Sequence, residues 1–126
     1  MPTATQPKLL SATSILGDKV RNTEGDVLGD MKDLMIDLNT GRIVYAVLSF
    51  GGILGVGDKL FAVPWTVLEL AAEEKKFIFD VDKQKLSDAP GFDKDNWPNM
   101  ADTTWQEEVH QHYEATPYWD DSPHLK

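Results

Sequence analysis

The chain has 126 residues, 21 acidic against 12 basic side chains, a formal charge of −9 and no cysteine. This length suits one domain that buries its own core, and the missing thiols exclude a disulfide scaffold, thiolate metal sites and thiol catalysis. Lys75-Lys76 is the longest basic cluster, so direct nucleic-acid binding and anionic membrane surfaces are disfavoured, and no apolar run approaches the roughly 20 residues that span a bilayer.

Residues 1–8 hold Pro2 and Pro7 among small and polar neighbours and read as a flexible N-terminus. No apolar signal core stands there, which makes a soluble, cytoplasmic protein without membrane insertion the expectation. The packed part begins at Leu9 and Leu10. Residues 11–17 read as a helical turn or a loop, and Lys19–Asn22 as a short strand followed by a turn through Gly25. The strongest pattern covers residues 27–50. Leu34, Ile36 and Leu38 alternate with Asp33, Met35 and Asp37, which predicts a strand with one buried face. Asn39-Thr40-Gly41 predicts a three-residue hairpin loop with glycine at the left-handed position.

Arg42–Phe50 is apolar on both faces. One face can fill a core; the other needs cover from the C-terminal tail or from a second subunit. A glycine-rich link, Gly51–Asp58, leads to a strand at Lys59–Val63 that Pro64 ends. Residues 65–70 give another short strand or a turn plus strand, and Phe77, Phe79 and Val81 alternate over 76–82. The whole predicts a mostly-β domain over residues 9–82, with about five to six short antiparallel strands forming a small barrel.

Residues 83–126 differ in composition. Residues 80–126 carry eleven acids and four bases, all three histidines and three of the four tryptophans. Thr104 and Glu107 fit a capping box, which predicts a helix over about 105–113 with Trp105, Val109 and His112 or Tyr113 on one stripe. This acidic, Trp-rich tail packs on the barrel or on a partner, with Trp119 among the candidate anchors.

The body resembles the PRC-barrel domain family. The resemblance rests on Val20-Arg21-Asn22 to Gly25, Leu28-Gly29 leading into Lys32–Asp37, Gly41–Val47, the glycine-rich link and Leu60–Trp65. It covers roughly residues 10–82, and the tail resembles the extension of stand-alone bacterial members. The family is named for the cytoplasmic part of the photosynthetic reaction centre H subunit, and it supplies a domain of the ribosome maturation factor. What the resemblance implies is a β-barrel that acts by contact, with no shared catalytic residues to carry over. No counterpart of the transmembrane helix of the first, or of the N-terminal domain of the second, is expected, so neither specific role carries over directly.

Candidate chemistry is sparse. Gly51, Gly52, Gly55 and Gly57 can present free backbone N–H groups, so the loop is an alternative site for a small hydrophobic or anionic ligand; a strand, not a helix, follows it. Ile53, Leu54 and Val56 at this loop, together with Val44, Ala46 and Leu48 on the two-faced strand, suggest a homodimer or another protein partner. Glu107, His110 and Glu114 share a helix face, but a solvated surface explains them, and no metal or cofactor is expected. The acid pairs Asp30 with Asp33, Glu73 with Glu74 and Asp120 with Asp121 fall at turns, strand ends and a terminus, where carboxylates are ordinarily solvated. No enzyme is predicted. The function expected is a non-catalytic interaction or assembly module that self-associates.

Overall fold

A computed structural model describes residues 9–50, 59–71, 76–89 and 91–115. The elements are α1 (Ala12–Ile15), β1 (Lys19–Arg21), β2 (Val27–Asp37), β3 (Arg42–Phe50), β4 (Lys59–Pro64), a 3-10 turn (Trp65–Val67), β5 (Leu68–Ala71), β6 (Lys76–Phe79), α2 (Lys83–Ser87) and α3 (Thr103–His112). The strands form one sheet in the order β4-β3-β2-β1-β6-β5, curled into a half-barrel.

Local chemistry sets the corners. Asn22 is buried, and its Oδ1 accepts from the backbone N–H groups of Glu24 and Asp26 at 3.0 and 2.9 Å. That closes the turn between β1 and β2. Pro64 ends β4, and the 3-10 turn carries the chain across to β5.

Neighbouring strands pair antiparallel except β1 and β6, which run parallel with Val20 opposite Phe77. The expectation of antiparallel strands throughout is corrected at this pair. These strands are far apart in sequence, so no hairpin dictates their relative direction.

The core joins sheet and tail. Val20, Leu28, Met31, Leu48, Phe61 and Phe77 are at most 2% exposed, and Leu86, Met100, Val109 and Tyr113 belong to the same buried cluster. The predicted helix forms, but its cap differs. Asp102 is the N-cap, its Oδ1 accepting from the Thr104 N–H at 2.9 Å, so Thr104 sits inside the first turn.

Candidate interaction site beside the projecting hairpin

The β2–β3 hairpin outruns its neighbours. On one side β4 reaches only to Pro64, opposite Tyr45; on the other, β1 reaches β2 only as far as Asp30. Beyond these points the pairs Ile36–Ile43 and Asp37–Arg42 continue as a two-stranded arm. The register of β2 against β3 shifts between Met31 and Asp33 and again between Met35 and Ile36. Each bulge interrupts the strict alternation of faces.

The predicted buried face therefore fails at its far end. Leu34 is half-buried, Ile36 is 50% exposed and Leu38 is 92% exposed. Leu38 also lies in the turn and not in the strand. The Asp37 carbonyl accepts from Thr40 and Gly41, the Asp37 carboxylate accepts from the Asn39 N–H at 2.8 Å, and Gly41 takes φ +77°. The connection spans 38–41, one residue longer than predicted, and it turns Leu38 out to water.

The tail builds the opposite wall. Gln106 is buried and donates from Nε2 to the Met100 carbonyl at 2.7 Å. The Gln106 carbonyl accepts from His110 Nδ1 at 2.7 Å. Tyr45 meets Trp105 edge-to-face at 5.2 Å and His110 at 5.6 Å between ring centroids. These contacts seat α3 against the start of β3. At its other end, His112 Nε2 donates to the Lys85 carbonyl at 2.9 Å, and the Lys85 ammonium bonds Glu114 at 2.8 Å. That ammonium holds the Glu114 carboxyl below the usual carboxylate range.

Between arm and tail lies an open cleft of about 690 Å³, lined by Met35, Ile36, Leu38, Val44, Met100 and Gln106 among others. Its size falls within the range of ligand and peptide grooves, and its walls are largely apolar. A smaller hollow of about 360 Å³, between the 22–24 turn and Asp80–Lys85, carries Glu24, Asp80 and Asp82 on its walls.

Of the residues named from sequence, Val44 borders this cleft, and the others fall elsewhere or outside the described residues. Val44, Ala46 and Leu48 are 8%, 0% and 0% exposed; Ala46 and Leu48 are enclosed within the chain, and Val44 borders the cleft. The chain's own barrel and tail cover both faces of β3. Ile53, Leu54, Val56, Trp119 and the glycines Gly51, Gly52, Gly55 and Gly57 lie outside the described residues. Glu107, His110 and Glu114 do not converge: His110 is buried against Gln106, and Glu114 turns to Lys85. Asp30 pairs with Lys19 at 2.8 Å. Among the described residues no group of three or more His, Asp or Glu is arranged to hold a metal ion. Among them, too, no helix is long and apolar enough to cross a membrane. Ile36, Leu38 and Met100 were missed from sequence. The overhang that exposes the first two depends on where β1 and β4 stop, which no local pattern records.

Comparison with known proteins gives a family and a distant likeness. The PRC-barrel domain family matches residues 7–86. No curated protein matches the chain. Among solved structures, a protein from Pseudomonas aeruginosa described as the 16S ribosomal RNA processing protein RimM is similar at 15% identity, with a TM-score of 0.45. The likeness covers 67% of this chain and 50% of that one, so the chain spans about half its length.

Proposed function

The chain belongs to the PRC-barrel family, and from that premise we propose that it is a non-catalytic assembly module, a small β scaffold that binds another protein by surface contact. The observation that carries this reading is the arm. Ile36 and Leu38, 50% and 92% exposed, project beside an open, largely apolar cleft. Single exposed apolar side chains are ordinary on a monomer, but two of them beside one apolar groove make a contiguous patch of the kind that contact surfaces use. Family membership alone does not assign an activity, so the reading is argued from this site.

This reading does not require self-association. The second face of β3 needs cover from the tail or from a second subunit, and Tyr45 packs on Trp105 of the tail helix. The contact surface moves from the centre of β3 to the tip of the hairpin.

Affinity capture from nuclease-treated lysate of the source organism tests the reading, with wild type beside Leu38→Asp. Leu38 is so exposed that the substitution leaves folding stability within about 0.5 kcal/mol, checked by chemical denaturation. A protein held by the wild type and lost by the variant is the expected result. Capture of nothing, or of the same proteins by both, overturns it.

A further inference from the structure

We propose that the cleft between hairpin and tail receives an extended peptide segment carrying one bulky apolar side chain flanked by lysine or arginine. This rests on the assembly reading above and names the chemistry of the partner. Shape supplies the apolar part. Met35, Ile36, Leu38 and Val44 stand on the arm, and Met100 stands across from them. An apolar side chain placed between them leaves water at roughly 25 cal/mol per Å² of area buried. Two of the wall residues are methionines, whose unbranched thioethers adjust to differently shaped guests.

Charge supplies the flanks. Residues 91–115, which include the tail wall, hold six acids and one lysine. Asp102, Glu107 and Glu108 are exposed on that segment, close in sequence to the lining residues Ala101, Thr103 and Gln106, and Asp37 lines the cleft itself. The arm is balanced: Lys32 and Arg42 stand against Asp33 and Asp37. A cationic segment is therefore attracted on the tail side and an acidic one repelled. A second copy of this chain brings another −9 and meets the same repulsion.

Backbone geometry favours an extended guest. β3 starts before the point where β4 stops, opposite Tyr45, so Ile43 and Val44 extend past the last β4 pair, beside the cleft. An extended segment can run along such an edge while its side chains enter the groove.

The test uses the full chain labelled at its methionine methyl groups and a set of short blocked peptides. Each peptide has a central Leu, Phe or Trp, and its flanks are basic, neutral or acidic. The basic-flanked peptides are expected to bind about tenfold tighter than the neutral ones and to weaken as salt is raised. They should shift the Met35 and Met100 methyl resonances and leave that of core Met31 in place. The double variant Ile36→Ser, Leu38→Ser should lose this binding with the Met31 signal unchanged, which shows that it remains folded.

Four results overturn the proposal. One is no binding by any peptide, or no preference for basic flanks. Another is binding that leaves Met35 and Met100 unmoved. A third is a shift of those two methyls with protein concentration alone, which assigns the cleft to a second copy. The last is a shift of both at every concentration on Trp119→Ala, which assigns it to the chain's own C-terminal end. A lysate partner that Leu38→Asp releases, found alongside peptides of no charge preference, leaves the assembly reading standing and removes only this one.

Discussion

Gly29 takes φ +151°, and a Cβ built there collides with the carbonyl oxygen of Ser49 on the neighbouring strand. β2 and β3 approach each other in a way that only glycine permits at this point. Gly29→Ala is expected to destabilise the protein by about 2–4 kcal/mol, combining backbone strain with overpacking, as read from urea denaturation. Tyr113 makes a second prediction. It is 8% exposed, and its hydroxyl has no hydrogen-bond partner among the described residues. Burial pushes its phenol above the ordinary tyrosine range. Above about pH 10 the unfolded chain therefore releases this proton while the folded chain keeps it. Stability contributed by the neutral phenol is complete below that pH and falls as pH rises, by up to about 1.4 kcal/mol per unit. Denaturation curves from pH 8 upward should show this fall in wild type and a shallower one in Tyr113→Phe. At neutral pH the variant should be as stable as wild type or more stable by about 1 kcal/mol, since it removes a polar group buried without a partner.

At the scale of elements, α3 distinguishes two possible caps. Asp102→Ala removes the carboxylate that accepts from Thr104 N–H and should cost about 1 kcal/mol. Thr104→Ala, at the position the capping-box pattern favours, should change stability by less than about 0.5 kcal/mol, because that side chain is exposed inside the first turn. Thermal denaturation of the pair decides between them. The pattern misplaced the cap because Asp102, Thr103 and Thr104 are all cap-type residues, and only the backbone at Asp102 (φ −71°, ψ 121°) shows where the helix begins. Other elements were open to reading from sequence. Apolar character on both sides of Arg42–Phe50 predicted a doubly covered strand, and Val44–Leu48 are buried on both faces. Gly41 in the hairpin turn has the positive φ that its neighbours required. The candidate site was hidden for a different reason. Alternation of Leu34, Ile36 and Leu38 states that one face is apolar, but burial needs a neighbour. The two bulges and the early ends of β1 and β4 remove that neighbour at Ile36 and Leu38.

Across the whole molecule, the division between barrel and tail is compositional more than mechanical. Leu60 and Phe92 exchange backbone hydrogen bonds at 2.8 and 2.9 Å, so the segment after α2 pairs with β4. Tyr45 packs on Trp105, and Phe79 packs on Tyr113 at 5.5 Å. Met100, Val109 and Tyr113 share one buried cluster with Val20 and Phe77. Removing α3 from the barrel would expose both sides of this contact together, so the tail should not come away at low cost. Two-state unfolding is the expectation for a chain of this size with one core. Two tryptophans report on the two regions: Trp65 packs on Phe77 at 5.7 Å within the barrel, and Trp105 sits on α3. In a fluorotryptophan-labelled chain, the Trp65 and Trp105 resonances should lose intensity at the same urea midpoint. A Trp105 transition at clearly lower urea would show a tail that undocks first, and the cleft wall would then exist only part of the time. Coincident midpoints mean that Met100 and Gln106 face the hairpin whenever the protein is folded. A partner then binds a groove already formed and does not have to order it, which keeps more of the contact energy as affinity.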